Sequence, residues 1–132
     1  MPFDALFLTA LSEELRPRAL GCRVDKVQQP ARDTVILALR GPGGGGRLLL
    51  TAAPNQPRIQ FTDVPQENPA QPPMFCMLLR KHLVGGKLAA ITQPRMERLV
   101  DLAFDCTDEM GSPTQKHLIL EIMGRNSNLI LT

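Results

Sequence analysis

The sequence predicts an α+β fold in which two helices accompany hairpin-linked antiparallel strands. Apolar residues recur at helical spacing in two segments, and each segment is followed by four short apolar or β-branched runs bounded by turn residues. The resulting order is helix, four strands, helix, four strands. A parallel arrangement would need a helix between successive strands, so this order favours antiparallel sheets.

The first helix is predicted over residues 4–16, where Asp4 is a suitable N-cap and three leucines follow at spacings of three and four. Pro17 disfavours helical geometry at the residue before it, so we expect the helix to end there. The second helix follows residues 63–73, an extended segment with four prolines. It is expected to run for about eleven residues, and Gly85-Gly86 supplies its stop signal.

The strand signals are short runs rich in Val, Ile, Leu and Thr. They lie at residues 22–29, 34–40, 47–53, 58–62, 87–92, 98–105, 117–123 and 128–132. The glycine-rich segment 41–46 joins two of these strands and predicts a mobile hairpin tip. It is not typical of a phosphate-binding loop, because a Lys-Ser/Thr pair and a helix should follow the last glycine, whereas Arg47 precedes a strand-like run.

Composition excludes several classes of protein. The 132 residues carry 15 Lys and Arg against 13 Asp and Glu, a net charge of +2, which excludes a strongly basic arm or acidic tail. There is no Trp or Tyr, so a row of aromatics for stacking bases is disfavoured. The apolar runs are too short for a membrane span, and three widely spaced cysteines favour a reducing, cytoplasmic location. Because the chain ends on an apolar strand, we expect it to be part of a longer protein.

No metal, cofactor or catalytic site is predicted. Cys76 and His82 are six residues apart on the second helix, so they lie about 120° apart around its axis and cannot act as a pair. We expect His82 to lie between Phe75 and Leu78 as a hydrogen-bonded histidine at the edge of the core. The spacings typical of zinc ligands are absent from the sequence.

Local charge is more informative than the total. Residues 80–98 carry a net charge of +4, since only Glu97 opposes five cations. These cations are Arg80, Lys81, Lys87, Arg95 and Arg98. Such a cluster can bind phosphates, and a solvated helix face and strand start explain it equally well.

A second polar segment, residues 121–128, places Glu121 at a strand end and Arg125 among Asn and Ser residues of a turn. Arginine and amide donors in this arrangement suit a phosphate or a ribose. An ordinary β-turn would require no function of these residues, so both interpretations remain open.

Five segments together resemble the N-terminal domain of the NFACT family of ribosome quality-control factors, formerly called fibronectin-binding protein A. In order, they are MPFDALFLTAL, AAPNQPRIQFT, NPAQPPMFCMLLRKHLVGG, QPRMERLVDLAF and EIMGRNSNLIL. The resemblance covers essentially all of residues 1–132 and implies the N-terminal portion of such a domain in a longer multidomain protein. It also implies a cytosolic protein that binds alanyl-tRNA and the large ribosomal subunit carrying stalled peptidyl-tRNA. Bacterial members support template-free alanine tailing.

The resemblance assigns candidate residues for tRNA binding. The family's Asp-Arg pair falls on Glu97-Arg98, a departure of one methylene, and its EIMGR motif falls on Glu121, Ile122, Met123, Gly124 and Arg125. Where the family commonly has His after this motif, the sequence has Asn126. From charge alone, Arg80, Lys81 and Arg95 are added as phosphate contacts.

The resemblance further implies antiparallel β-sandwich-like sheets with two main helices, similar to the N-terminal domain of formamidopyrimidine-DNA glycosylases. Those enzymes use an N-terminal Pro-Glu pair, whereas Pro2 is followed here by Phe3, so we expect no enzymatic activity. The alternative suggested by the older family name is a surface adhesin that binds fibronectin.

Overall fold

The computed structural model describes residues 15–52, 58–63, 69–92, 99–121 and 128–132. Residues 15–19 form helix α1, and Met74–Leu83 form helix α2. The eight strands are β1 (Arg23–Ala31), β2 (Thr34–Arg40), β3 (Gly46–Thr51), β4 (Arg58–Thr62), β5 (Lys87–Thr92), β6 (Leu99–Thr107), β7 (Pro113–Glu121) and β8 (Asn128–Leu131). The predicted α+β class, with mostly antiparallel strands and two helices, is confirmed.

All eight strands join in one hydrogen-bonded order, β4-β3-β2-β1-β5-β6-β7-β8, with antiparallel neighbours throughout. The two predicted groups of four strands are therefore halves of a single sheet. One face of each half contributes to a common core that also includes residues of α2. The largest fully buried side chains include Leu37 and Leu50 from the first half, Leu102 and Phe104 from the second, and Leu79 from α2.

The two halves meet at a short junction between β1 and β5. Arg23 and Lys87 are the residue pair in register there. On either side, the Val24 N–H donates to the Gly86 carbonyl at 2.9 Å and the Leu88 N–H donates to the Cys22 carbonyl at 2.8 Å. Bonds placed in this way leave Arg23 and Lys87 as a non-hydrogen-bonded pair, the kind in which opposed side chains lie closest.

Helix α2 packs beside β1 just beyond this junction. Its buried residues, Cys76, Leu79 and Leu83, recur at helical spacing. The Val27 carbonyl of β1 accepts a hydrogen bond from Arg80 Nε at 3.0 Å and a longer contact from Cys76 Sγ at 3.7 Å. Side chains of α2 thus satisfy a backbone group that β5 does not reach.

The predicted end of α2 is confirmed. The Val84 N–H donates to the Arg80 carbonyl, and Gly85 follows with a φ of 87°, a conformation that glycine adopts without strain. The predicted inner face was wrong in part, because Leu78 is 42% exposed. His82 is half-buried, and no hydrogen bond of its ring is found within the described residues. Across the same residues, no helix has the length and apolar character that a membrane span needs.

Strand β7 starts at Pro113, four residues earlier than predicted. Residues 113–116 show little apolar alternation, yet they continue the register with β6 as far as the pair Thr107–Pro113. A proline is tolerated at the first position of a strand, where no ladder hydrogen bond is lost. Backbone pairing, rather than side-chain burial, extends this hairpin.

Pro17 lies inside α1, so the prediction that the helix ends before it was wrong. Leu15 and Ala19 on this segment are buried, and the Leu20 N–H donates to the Arg16 carbonyl at 3.0 Å. Arg16 Nε also donates to the Ile91 carbonyl at 2.8 Å, which attaches the segment to β5. These tertiary contacts outweigh the local preference of proline.

The glycine-rich loop, residues 41–46, is attached to α1 and is not a free tip as predicted. Arg18 Nε donates to the Gly45 carbonyl at 2.6 Å, and the Gly45 N–H donates to the Arg18 carbonyl at 3.3 Å. A Cβ on Gly43 would collide with the Pro17 and Arg18 carbonyls, so the close approach requires glycine. The Arg18 guanidinium also lies 4.0 Å from the ring centroid of Phe61.

Replacement of Arg18 by Ala should release this loop. Loss of one hydrogen bond and one cation–π contact at an exposed site is expected to lower the free energy of unfolding by about 1 kcal/mol. Amide exchange at residues 41–46 should accelerate more than exchange elsewhere. Arg32→Ala, in the β1–β2 turn, is the matched control; equal exchange in the Arg18→Ala variant and the wild type would contradict the attachment.

Candidate nucleic-acid interface

Four strand termini of the second half lie at one end of the sheet. Leu99, the first residue of β6, is directly opposite Glu121, the last residue of β7, and Glu121 is opposite Asn128, the first residue of β8. Thr92 ends β5 and pairs with Asp101 of β6 at the same end. We call this the loop end, because residues 93–98 and 122–127 connect the strands there.

Most of the predicted tRNA-binding residues belong to these two connections. Arg95, Glu97 and Arg98 fall within residues 93–98, and the motif from Ile122 to Arg125 falls within residues 122–127. Both groups lie outside the described residues. The chain order nevertheless shows that both connections leave the sheet at the loop end, although they are far apart in sequence.

Among the described residues, the loop end carries polar groups on the face opposite the core. Glu121 is half-buried at the end of β7. On β6 and β7, a few residues away from the loop end, His117 Nδ1 lies 2.9 Å from Asp101 Oδ1. These side chains are 32% and 25% exposed. Sequence reasoning missed this pair, because Asp101 interrupts an apolar run of β6 but His117 follows the polar residues Gln115 and Lys116 and gives no such signal.

Arg80 and Lys81 do not lie near the loop end. They belong to the last turn of α2, which leads into the start of β5, whereas residues 93–98 follow its other end. With a rise of about 3.3 Å per residue, the two ends of β5 are about 16 Å apart. Of the basic cluster predicted at residues 80–98, the described members Arg80, Lys81 and Lys87 therefore lie away from the loop end, and Arg95 and Arg98 lie outside the described residues.

Both of these cations also have partners. Arg80 donates to the Val27 carbonyl as described, and Lys81 Nζ lies 3.0 Å from Glu109 Oε1 in an exposed ion pair. Exposed pairs of this type contribute little to stability and exchange readily with solvent ions. Arg80 acts mainly as a structural donor, and Lys81 remains accessible.

A cleft of about 480 Å³ lies at the opposite end of the sheet from the loop end, between α2 and the β6–β7 turn. Its lining includes Lys81, His82, Cys106 and Lys116. Burial raises the pKa of the Cys106 thiol, while the charge of Lys116 lowers it and that of Asp105 raises it. Within the described part of the chain, no group of three or more metal-binding side chains is present.

The chain matches the family model described as NFACT N-terminal and middle domains over residues 4–132. It is 42% identical over 132 residues to the Bacillus subtilis protein named Rqc2 homolog RqcH, and the match covers all of this chain and 23% of that protein. It is 32% identical over 130 residues to the human protein named ribosome quality control complex subunit NEMF, covering 98% of this chain and 11% of that protein. The chain thus spans less than a quarter of either relative.

Solved structures show the same fold. The N-terminal domain of fibronectin-binding protein PavA from Streptococcus pneumoniae superposes with a TM-score of 0.93 at 41% identity, covering 98% of this chain and 49% of that chain. The fibrinogen binding protein from Staphylococcus aureus gives a TM-score of 0.86 at 37% identity, covering 100% of this chain and 47% of that chain.

The pH dependence of Cys106 reactivity should respond to its two charged neighbours in opposite directions. Because the thiolate is the reactive form, a raised pKa moves the midpoint of the alkylation rate to higher pH. Lys116→Gln removes a charge that lowers this pKa, so alkylation should slow at mildly alkaline pH; Asp105→Asn should accelerate it.

The rate is measured by mass spectrometry of the peptide that contains Cys106, since Cys22 and Cys76 are buried. Arg32→Gln, at a distant turn, serves as the control. Shifts of the same sign in Lys116→Gln and Asp105→Asn would contradict the electrostatic account.

Proposed function

Because the chain belongs to the NFACT family, we propose that it is an RNA-binding module of a ribosome quality-control factor. In this proposal it engages tRNA and the large ribosomal subunit that carries a stalled peptidyl-tRNA. Its human relative is named as a ribosome quality control complex subunit, and its Bacillus relative as an Rqc2 homolog. We further propose that the module acts in the cytoplasm, has no catalytic activity of its own, and supports alanine tailing by presenting alanyl-tRNA to the ribosome.

The observation that carries the proposal is the common origin of the two connections at the loop end. Leu99, which follows Glu97-Arg98 in the chain, is directly opposite Glu121, the first residue of the EIMGR motif. The two strand termini from which these segments extend are therefore neighbours in the sheet. Adjacent attachment allows both segments to contact one RNA. In the proposal, Arg98 and Arg125 contact the tRNA backbone, while Glu97 orients Arg98.

Glu97→Ala/Arg98→Ala in the full-length protein should weaken tRNA binding about tenfold or more, because it removes one phosphate contact and its orienting group. Affinity is measured across a salt series, in which the log–log slope should become shallower by about 0.7 to 0.9.

The matched control is Arg32→Ala/Asp33→Ala, which removes an adjacent cation and carboxylate from the β1–β2 turn. Equal affinities of the Glu97→Ala/Arg98→Ala variant and the wild type would reject the site. Failure of the wild type to bind tRNA and large subunits would reject the function.

Glu97→Asp restores the residue that the family commonly carries. If the carboxylate orients Arg98 within a narrow geometry, the shorter side chain should raise tRNA affinity, by an amount read from the same titration. Glu97→Gln is the control for charge, because it keeps the length of the side chain. Identical affinities for Glu and Asp would show that the site accepts either length.

The names of the solved neighbours favour a second candidate function, the binding of fibronectin or fibrinogen. This function requires the protein to be accessible outside the cell. Protease treatment of intact cells should then degrade it, and immobilised fibronectin should retain it. Under the leading proposal, the protein resists the protease and sediments with large ribosomal subunits.

A further inference from the structure

A line of exposed polar residues crosses five strands on the sheet face opposite the core. The register pairs Arg40 with Arg23, Arg23 with Lys87, Lys87 with Asp105, and Asp105 with Gln115. All five residues are exposed. Residues directly opposite one another in a sheet share a face, so these side chains form one row. Its first three members, Arg40, Arg23 and Lys87, are cations, and we call them the cationic row.

The cationic row brings like charges close together. Arg23 and Lys87 form a non-hydrogen-bonded pair, in which the Cα atoms are about 4.5 Å apart. The backbone N–H and C=O of Arg23 therefore point towards β2, which makes Arg23 and Arg40 a hydrogen-bonded pair with Cα atoms about 5.5 Å apart. Like charges directly opposite one another are destabilising, so the fold holds this arrangement against a local cost.

The described residues neutralise the row only in part. Arg40 Nη2 lies 3.5 Å from Asp25 Oδ1, in a pair whose side chains are 81% and 47% exposed, which makes the contact weak. Arg23 Nη1 donates to the Gly85 carbonyl at 2.9 Å and keeps its other donors. Lys87 forms no ion pair among the described residues. Asp105, directly opposite Lys87, offsets part of this charge, and its Oδ1 also accepts a hydrogen bond from Gln115 Nε2 at 3.3 Å.

The surroundings favour an extended polyanion. The spacing within the row is of the same order as that between successive phosphates along a nucleic-acid strand. Gly41, Gly43 and Gly44 lie in the loop after Arg40 and are exposed, so the Pro42 ring is the only side chain among residues 41–44 that an approaching backbone would meet. Guanidinium groups suit phosphate oxygens because their planar donors match them in pairs.

From these observations we propose that Arg40, Arg23 and Lys87 form a second RNA-binding surface, which contacts the phosphate backbone without reading sequence. This inference rests on the proposed RNA-binding function and extends it to a site outside both family motifs. Lys87 is at the start of β5, about 16 Å from its loop end. The row would therefore contact a part of the RNA different from that held at the loop end.

The test compares Arg23→Gln/Lys87→Gln with Arg32→Gln/Lys116→Gln in the full-length protein. Each variant loses two cations. Lys116 is directly opposite the buried Phe104 in the register of β6 and β7, so its side chain projects from the other face of the sheet. The first variant should bind tRNA and a short RNA duplex of arbitrary sequence about tenfold more weakly, with a salt slope shallower by about 1.5. The second should bind as the wild type does.

Stability provides an independent readout. The glutamine variant relieves repulsion but also removes the hydrogen bond from Arg23 to the Gly85 carbonyl, so its melting temperature should stay close to that of the wild type while its RNA affinity falls. The swap Arg23→Lys/Lys87→Arg conserves both charges, and its affinity should remain within about twofold of wild type. Equal losses of affinity in the swap and in the glutamine variant would overturn a role based on charge.

The outcomes separate this inference from the proposed function. If the wild type binds no tRNA, the proposed function fails. If Glu97→Ala/Arg98→Ala weakens binding but Arg23→Gln/Lys87→Gln does not, only the cationic row is rejected. Poly-glutamate serves as a probe for an acidic protein partner. If Arg23→Gln/Lys87→Gln loses binding to poly-glutamate but binds RNA as the wild type does, the row is a protein-binding surface and the assignment to RNA is overturned.

Discussion

The short junction between β1 and β5 determines the rest of the structure. Two four-stranded halves, each closed by hairpins, meet through one pair in register with a backbone hydrogen bond on either side. A junction this short leaves the Val27 carbonyl of β1 without a strand partner on that side, and α2 supplies the donors. With α2 seated there, its buried residues complete the core that both halves share. The helix and the junction therefore depend on each other.

The same junction creates the main local conflict in the described structure. The backbone bonds on either side of Arg23 and Lys87 fix the register, so the two cations cannot move apart by slipping. A pairing of opposite charges here would stabilise the sheet, and the sequence has two positive charges instead. In natural sequences, local choices that oppose the fold occur most often where function requires them. That expectation fits a surface whose charges interact with a phosphate backbone.

The hairpin-linked strands were largely predictable, because alternation and turn residues act over a few positions. β2, β4 and β5 begin and end where their patterns do. The predictions were wrong where tertiary contacts determine the local conformation. Pro17 lies within a helix, and Arg18 attaches the glycine-rich loop to α1. For the site, sequence proximity suggested one basic cluster at residues 80–98. Its described members, Arg80, Lys81 and Lys87, lie away from the loop end, and the cationic row, assembled from three strands, has no signal in linear sequence.

The face of the sheet between the loop end and the cationic row limits how an RNA can lie across it. Asp101, Asp105 and Glu121 place three carboxylates on this face, and His117 lies beside Asp101. A phosphate backbone running flat along β6 and β7 would meet these carboxylates and be repelled. An RNA that reaches both ends must therefore bridge the face, as a folded or double-stranded RNA can and an extended single strand cannot. Under the proposed function, two separated backbone contacts of this kind would select for RNA shape, and tRNA is a folded RNA of the type that they would favour.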